Sequence, residues 1–133
     1  MQALEPASLE LRLEARPDVA APLRRDLRTW LRDQGVTSAV ISDVVSAVSE
    51  AFANAVEHPT GRRLGRIDVE ARLVQETVIA RVRDYGSWQT RRLRPGGNGF
   101  LLMRALMDAV ELDCRPDGTA VTMRRQLRYG RGL

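Results

Sequence analysis

The chain has 133 residues, 44% hydrophobic and 29% charged, with a formal net charge of +4. That composition predicts one soluble globular domain over 1–133, in the usual ~100–150-residue range. All 21 basic residues are Arg, which excludes a P-loop lysine, a Schiff-base lysine and a kinase-type strand lysine.

The single cysteine, Cys114, excludes an internal disulfide framework and a multi-cysteine metal site. Met1–Glu5 lacks the basic and apolar regions of a signal peptide. No apolar run approaches the ~18 residues of a membrane span, so a cytoplasmic protein without a membrane partner is expected. The arginines are spread along the chain, with small groups at Arg62-Arg63, Arg91-Arg92-Arg94 and Arg124-Arg125. Aromatic content is only 5%, too little for a base-stacking surface, and no direct nucleic-acid partner is expected.

In chain order, Leu9 to Ala15 alternates apolar and polar residues and predicts a half-buried strand. Pro17-Asp18 opens a helix with Val19, Leu23, Leu27 and Trp30/Leu31 on one stripe, closed at Gly35. Thr37 or Ser38 caps a longer helix that runs to His58 and stops before Pro59. Gly61 to Gly65 is loop. Ile67 to Leu73 alternates as a strand, Gln75-Glu76 turns, and Thr77 to Arg83 alternates again. Asp84 to Asn98 reads as turn and loop, broken by Gly86, Pro95, Gly96 and Gly97. Phe100 to Met107 is apolar at helical spacing. Val110, Leu112 and Cys114 form a strand, Pro116-Asp117-Gly118 a tight turn, and Thr119 to Leu127 the last strand. The order βααββαββ predicts an α+β, two-layer α/β sandwich with helices on one face of a mixed, mostly antiparallel sheet.

Three stretches carry chemistry. On the second helix, periodicity places Ile41, Val44, Val45, Val48, Phe52, Ala55 and Val56 on the core face. Asp43, Glu50, Asn54 and Glu57 fall opposite, as on any amphipathic helix with a solvated face. Asn is nevertheless a poor mid-helix residue. Glu50 and Asn54 at i,i+4 point the same way and suit a metal-phosphate and an attacking hydroxyl. His58 suits a helix C-terminus. Asp84, closing a strand before Gly86, suits the exocyclic amine of adenine or a plain acidic turn. Gly96-Gly97-Asn98-Gly99 opens the third helix with free N–H groups, a phosphate cradle or a flexible cap.

Together, the ordered set resembles the RsbW-like anti-sigma-factor serine/threonine kinases, a branch of the GHKL (Bergerat-fold) ATPases. The likeness runs from Leu9 to Leu127. Ser49-Glu50-Ala51-Phe52-Ala53-Asn54-Ala55 resembles the N box, which implies Asn54 as the Mg²⁺ ligand and Glu50 as general base. Asp84-Tyr85-Gly86 resembles the first glycine box, with Asp84 on the adenine amine. Gly97-Asn98-Gly99-Phe100-Leu101-Leu102 and the helix after it closely resemble the second. Gly118-Thr119 corresponds to the last box, in which Thr119 helps to bind adenine.

The resemblance implies ATP and Mg²⁺ as cofactors and a STAS-type anti-sigma-factor antagonist as substrate. It adds a sigma factor as a sequestered partner and a homodimer as an available assembly. Trp88 departs from the Asp-x-Gly-x-Gly form of the first box. That departure keeps a second reading in play, a partner-switching anti-sigma binding module with weak or no kinase activity.

Overall fold

Five strands form one sheet in the order β1-β2-β3-β5-β4, and every neighbouring pair is antiparallel. The computed structural model describes residues 7–56, 65–86 and 98–127. The elements are β1 (Ala7–Glu14), a 3-10 turn at Pro17–Val19, α1 (Ala20–Asp33), α2 (Ser38–Val56), β2 (Arg66–Val74) and β3 (Thr77–Asp84). They continue with α3 (Asn98–Leu106), β4 (Ala109–Arg115) and β5 (Gly118–Gln126). The expected element order and two-layer α+β architecture are both present, and the described sheet is wholly antiparallel rather than mixed.

Local signals explain several boundaries. Gly35 adopts φ +82 just past α1. Its N–H donates to the Arg32 carbonyl at 2.9 Å, and the Val36 N–H donates to the Leu31 carbonyl at 3.1 Å. Paired bonds of this kind, with a buried residue after the glycine, satisfy the last carbonyls of a helix. Val36 fills that position and is buried. Gln75 takes φ 56 in the two-residue turn between β2 and β3, where hairpin twist requires positive φ.

The core lies between the sheet and the helices. Leu23, Leu27 and Leu31 face inward from α1, and Ile67, Val69, Ala71, Val78, Ala80, Val82, Val121 and Met123 face them from the sheet. Strand periodicity then puts Glu10, Arg12, Asp68, Glu70, Arg81, Arg83, Glu111 and Asp113 on the other face. None of these charged residues is buried, as suits an antiparallel sheet that meets water on one side.

The second helix runs between α1 and α3 and also touches the sheet. It is long and apolar enough to cross a bilayer, but nine of its residues are buried in this core. Asp43, Glu50 and Asn54 do not lie on a solvated back, as periodicity suggested. All three are half-buried at one margin of the core face, while Ser42, Ser46 and Ala53 are exposed. Asp43 is ion-paired at 2.9 Å with Arg125 of β5. Among the described residues, Arg125 is the one charged side chain that is buried. The pair ties the first half of α2 to the sheet. Glu57 and His58 lie outside the described residues.

Candidate functional site

Side chains of α2 build the first part of the site. Glu50 and Asn54 stand one helical turn apart, and the Asn54 amide donates to both the Glu50 carboxylate Oε2 (3.0 Å) and the Glu50 carbonyl (2.8 Å). Both bonds use Nδ2. Because the amide is planar, Oδ1 then points away from Glu50 and presents a hard oxygen donor, the ligand type that Mg²⁺ prefers. The mid-helix Asn thus has a partner that offsets its poor propensity.

The N-terminus of α3 closes over this pair. A Cβ at Gly99 would stand 2.9 Å from both Asn54 Nδ2 and Glu50 Oε2, so any larger residue would have to push these two side chains out of their present positions. Phe100 is buried and anchors the first turn in the core. Asn98 is the first helical residue. The first N–H groups of that turn, which have no partner within the helix, therefore lie close to Glu50 and Asn54. Gly97 lies outside the described residues, with Trp88 and the Arg91, Arg92 and Arg94 group.

Strand ends build the second part. Asp84 closes β3, and its Oδ1 accepts from the N–H of Gly86 at 3.1 Å and of Thr119 at 3.3 Å. Thr119 is buried, and its hydroxyl has no hydrogen-bond partner among the described residues. A buried hydroxyl without a partner costs free energy unless something meets it. Gly118, at φ +152, lies against the Asp84–Tyr85 peptide. A Cβ there would overlap the Asp84 carbonyl oxygen and come within 3.1 Å of the Tyr85 Cα.

Glu50, Asn54 and Gly99 are therefore in mutual contact, and Gly86, Gly118 and Thr119 each touch Asp84. Both groups lie on the helix-covered side of the sheet, since Asp84 and Thr119 continue the inward positions of Val82 and Val121.

Residues 13–125 match the family described as the histidine kinase-like ATPase domain. The serine-protein kinase RsbW of Listeria innocua is 30% identical over 137 residues, spanning 90% of this chain and 87% of its own. The chain belongs to the RsbW-like branch of the histidine kinase-like ATPases. The RsbW of Staphylococcus aureus is 26% identical over 139 residues, with 90% and 87% covered. A crystal structure of the RsbU and RsbW domains of Rv1364c from Mycobacterium tuberculosis superposes with a TM-score of 0.78 at 31% identity. The match covers 96% of this chain and 34% of that one, so this RsbW-like chain spans about a third of that larger protein.

Membership makes this an ATP-binding fold of an anti-sigma-factor kinase family, and the geometry fits such a ligand. The cradle under Gly99, the oxygen donor of Asn54 and the unpartnered Thr119 hydroxyl are features that a bound nucleotide and cation would use.

One cluster next to the site was not read from the sequence. Tyr85 lies on the open face of the sheet, its hydroxyl donating to Asp68 and accepting from Arg66 Nη2 at 3.1 Å. Arg66 also pairs with Asp68 at 2.9 Å. The guanidiniums of Arg83 and Arg66 stand 4.5 and 4.9 Å from the Tyr85 ring centre. The Tyr85 hydrogen bond, then that of Asp68, raise the Arg66 pKa further above its ordinary value. Placing Arg66, Asp68 and Arg83 on the open face by strand alternation was the available signal.

Proposed function

We propose that this RsbW-like chain is a cytoplasmic, ATP- and Mg²⁺-dependent serine/threonine protein kinase whose substrate is a STAS-type anti-sigma-factor antagonist. The observation that supports it best is the Glu50–Asn54 pair held under Gly99. A carboxylate and a side-chain amide, bonded to each other, stand beside the start of α3, with no lysine anywhere in the chain. Bound ATP·Mg²⁺ supplies the phosphoryl group and the charge that steadies it.

The chain's own residues do the rest. Asp84 accepts from the adenine amine, and the Thr119 hydroxyl joins it at the same edge of the base. Asn54 offers Oδ1 to the cation. The first N–H groups of α3, around Asn98, Gly99 and Phe100, hold phosphate oxygens. Glu50 orients the acceptor hydroxyl and takes its proton as the hydroxyl oxygen bonds to phosphorus and the bond to ADP breaks. Asn54, by donating to Oε2, keeps that carboxylate turned toward the reaction.

The test is direct. The protein is incubated with γ-labelled ATP, Mg²⁺ and each STAS-domain protein of the same genome, and label on a serine or threonine is measured. Transfer to one STAS protein, lost on chelation of Mg²⁺, is the expected result. A STAS protein or sigma factor that binds tightly while no partner gains label would make the chain a binding module instead.

A further inference from the structure

Two hydrogen bonds that help to orient Asp84 come from backbone groups on separate segments. Gly86 follows β3, and Thr119 is the second residue of β5. The β3–β5 ladder, whose last pair is Arg83 with Ala120, brings Thr119 beside Asp84, whereas Gly86 lies past the end of β3. The open face of the sheet adds side-chain ties to both segments. Tyr85, between Asp84 and Gly86, is bonded through its hydroxyl to Asp68 and Arg66 of β2. Its ring lies by Arg83, whose Nη2 pairs with Asp117 at 3.3 Å, one residue before Gly118. The contacts thus run without a break from β2 through Tyr85 and Arg83 to the β4–β5 turn. On the other side of the same peptide, Gly118 packs against Asp84.

We propose that Tyr85, with Asp68, Arg66, Arg83 and Asp117, is a clamp behind the Asp84 recess that fixes which nucleobase the site accepts. Tyr85 is a positioning residue in this arrangement. It faces away from the base and acts by holding the Gly86 and Thr119 amides on Asp84 Oδ1. The clamp rests on the reading of Asp84 as the adenine contact. A carboxylate held in one orientation matches an exocyclic amine and repels a carbonyl. A loosened carboxylate rotates, and the distinction fades. An exposed cluster of this kind adds little to global stability, so its loss tells mainly on ligand choice.

Calorimetric titration of ATP and GTP, with and without Mg²⁺, tests it in the parent, Tyr85→Phe, Tyr85→Ala and Asp117→Ala. Tyr85→Ala is expected to lower the ATP/GTP affinity ratio about tenfold, the scale of one lost oriented contact. Tyr85→Phe, which keeps the ring between the guanidiniums, should fall between it and the parent. Asp117→Ala should shift the ratio in the same direction. The Mg²⁺ dependence, set on α2, should stay parental. Amide exchange at Gly86 and Thr119 should quicken in Tyr85→Ala without nucleotide.

A parent that binds both nucleotides equally would sink the adenine reading and the clamp with it. A parent that prefers ATP, alongside a Tyr85→Ala variant with the same preference, would sink the clamp alone. Equal weakening of ATP and GTP would leave Tyr85 a merely structural residue and likewise overturn the proposal.

Discussion

The Glu50–Asn54 pair and the Asp84–Thr119 pair solve the same problem, holding polar groups ready inside a partly apolar recess, in opposite ways. The first is local. Two side chains four residues apart on one helix bond to each other, and the helix backbone sets their spacing. The second is distant. A carboxylate at one strand end is oriented by a backbone amide 35 residues away, and nothing in either segment alone places them together. A site that divides its work this way should respond differently in its two halves. Chemistry should fail when the helical half is altered, and affinity or folding when the strand half is altered.

The largest separation is expected at Glu50. Glu50→Gln keeps an acceptor oxygen for the Asn54 amide but removes the base, so phosphoryl transfer should drop ~10²–10⁴-fold while nucleotide affinity stays close to parental. Labelled-phosphate transfer beside an ATP titration reads both. Transfer at the parental rate would end the assignment of Glu50.

The strand half should break through the backbone. Gly118→Ala puts a Cβ onto the Asp84 carbonyl at a φ of +152, a conformation that costs other residues about 1–3 kcal/mol. Denaturant unfolding should show a loss of at least that size, together with weaker ATP binding. A Gly118→Ala protein as stable as the parent would mean that the close approach of β5 to β3 is not needed.

Thr119→Val gives the smallest and sharpest effect, because two measurements should move in opposite directions. Removing a buried hydroxyl that has no partner among the described residues should leave the free protein as stable or more so. Removing a hydrogen bond to the nucleotide should weaken ATP by about 0.5–1.5 kcal/mol. If stability falls and affinity does not, the hydroxyl serves the fold and not the ligand.

The same division governs what was legible beforehand. The pair on α2 could be read because i,i+4 spacing fixes a shared direction in any helix. The apolar stripe of α1 and its glycine stop could be read for the same reason. The position of the pair relative to the core could not. Asp43, Glu50 and Asn54 count as a polar back if the helix is taken alone. They become a half-buried margin only because α3 and β5 pack beside it. The Asp43–Arg125 ion pair, spanning 82 residues, has no trace in local pattern.

The sequence by itself determined the order of elements, the two-layer class and the nature of the candidate groups. These depend on periodicity, turn chemistry and residue type, which act over a few residues. Only the tertiary structure decided the strand order β1-β2-β3-β5-β4, the fully antiparallel pairing and the seat of Gly99 on the Glu50–Asn54 pair. It also decided the backbone amide that reaches Asp84 from β5 and the Tyr85 cluster behind it. Each of these depends on where distant segments meet. Such meetings are selected by burial of the whole core and by the satisfaction of backbone groups across strands, which no window of the chain contains.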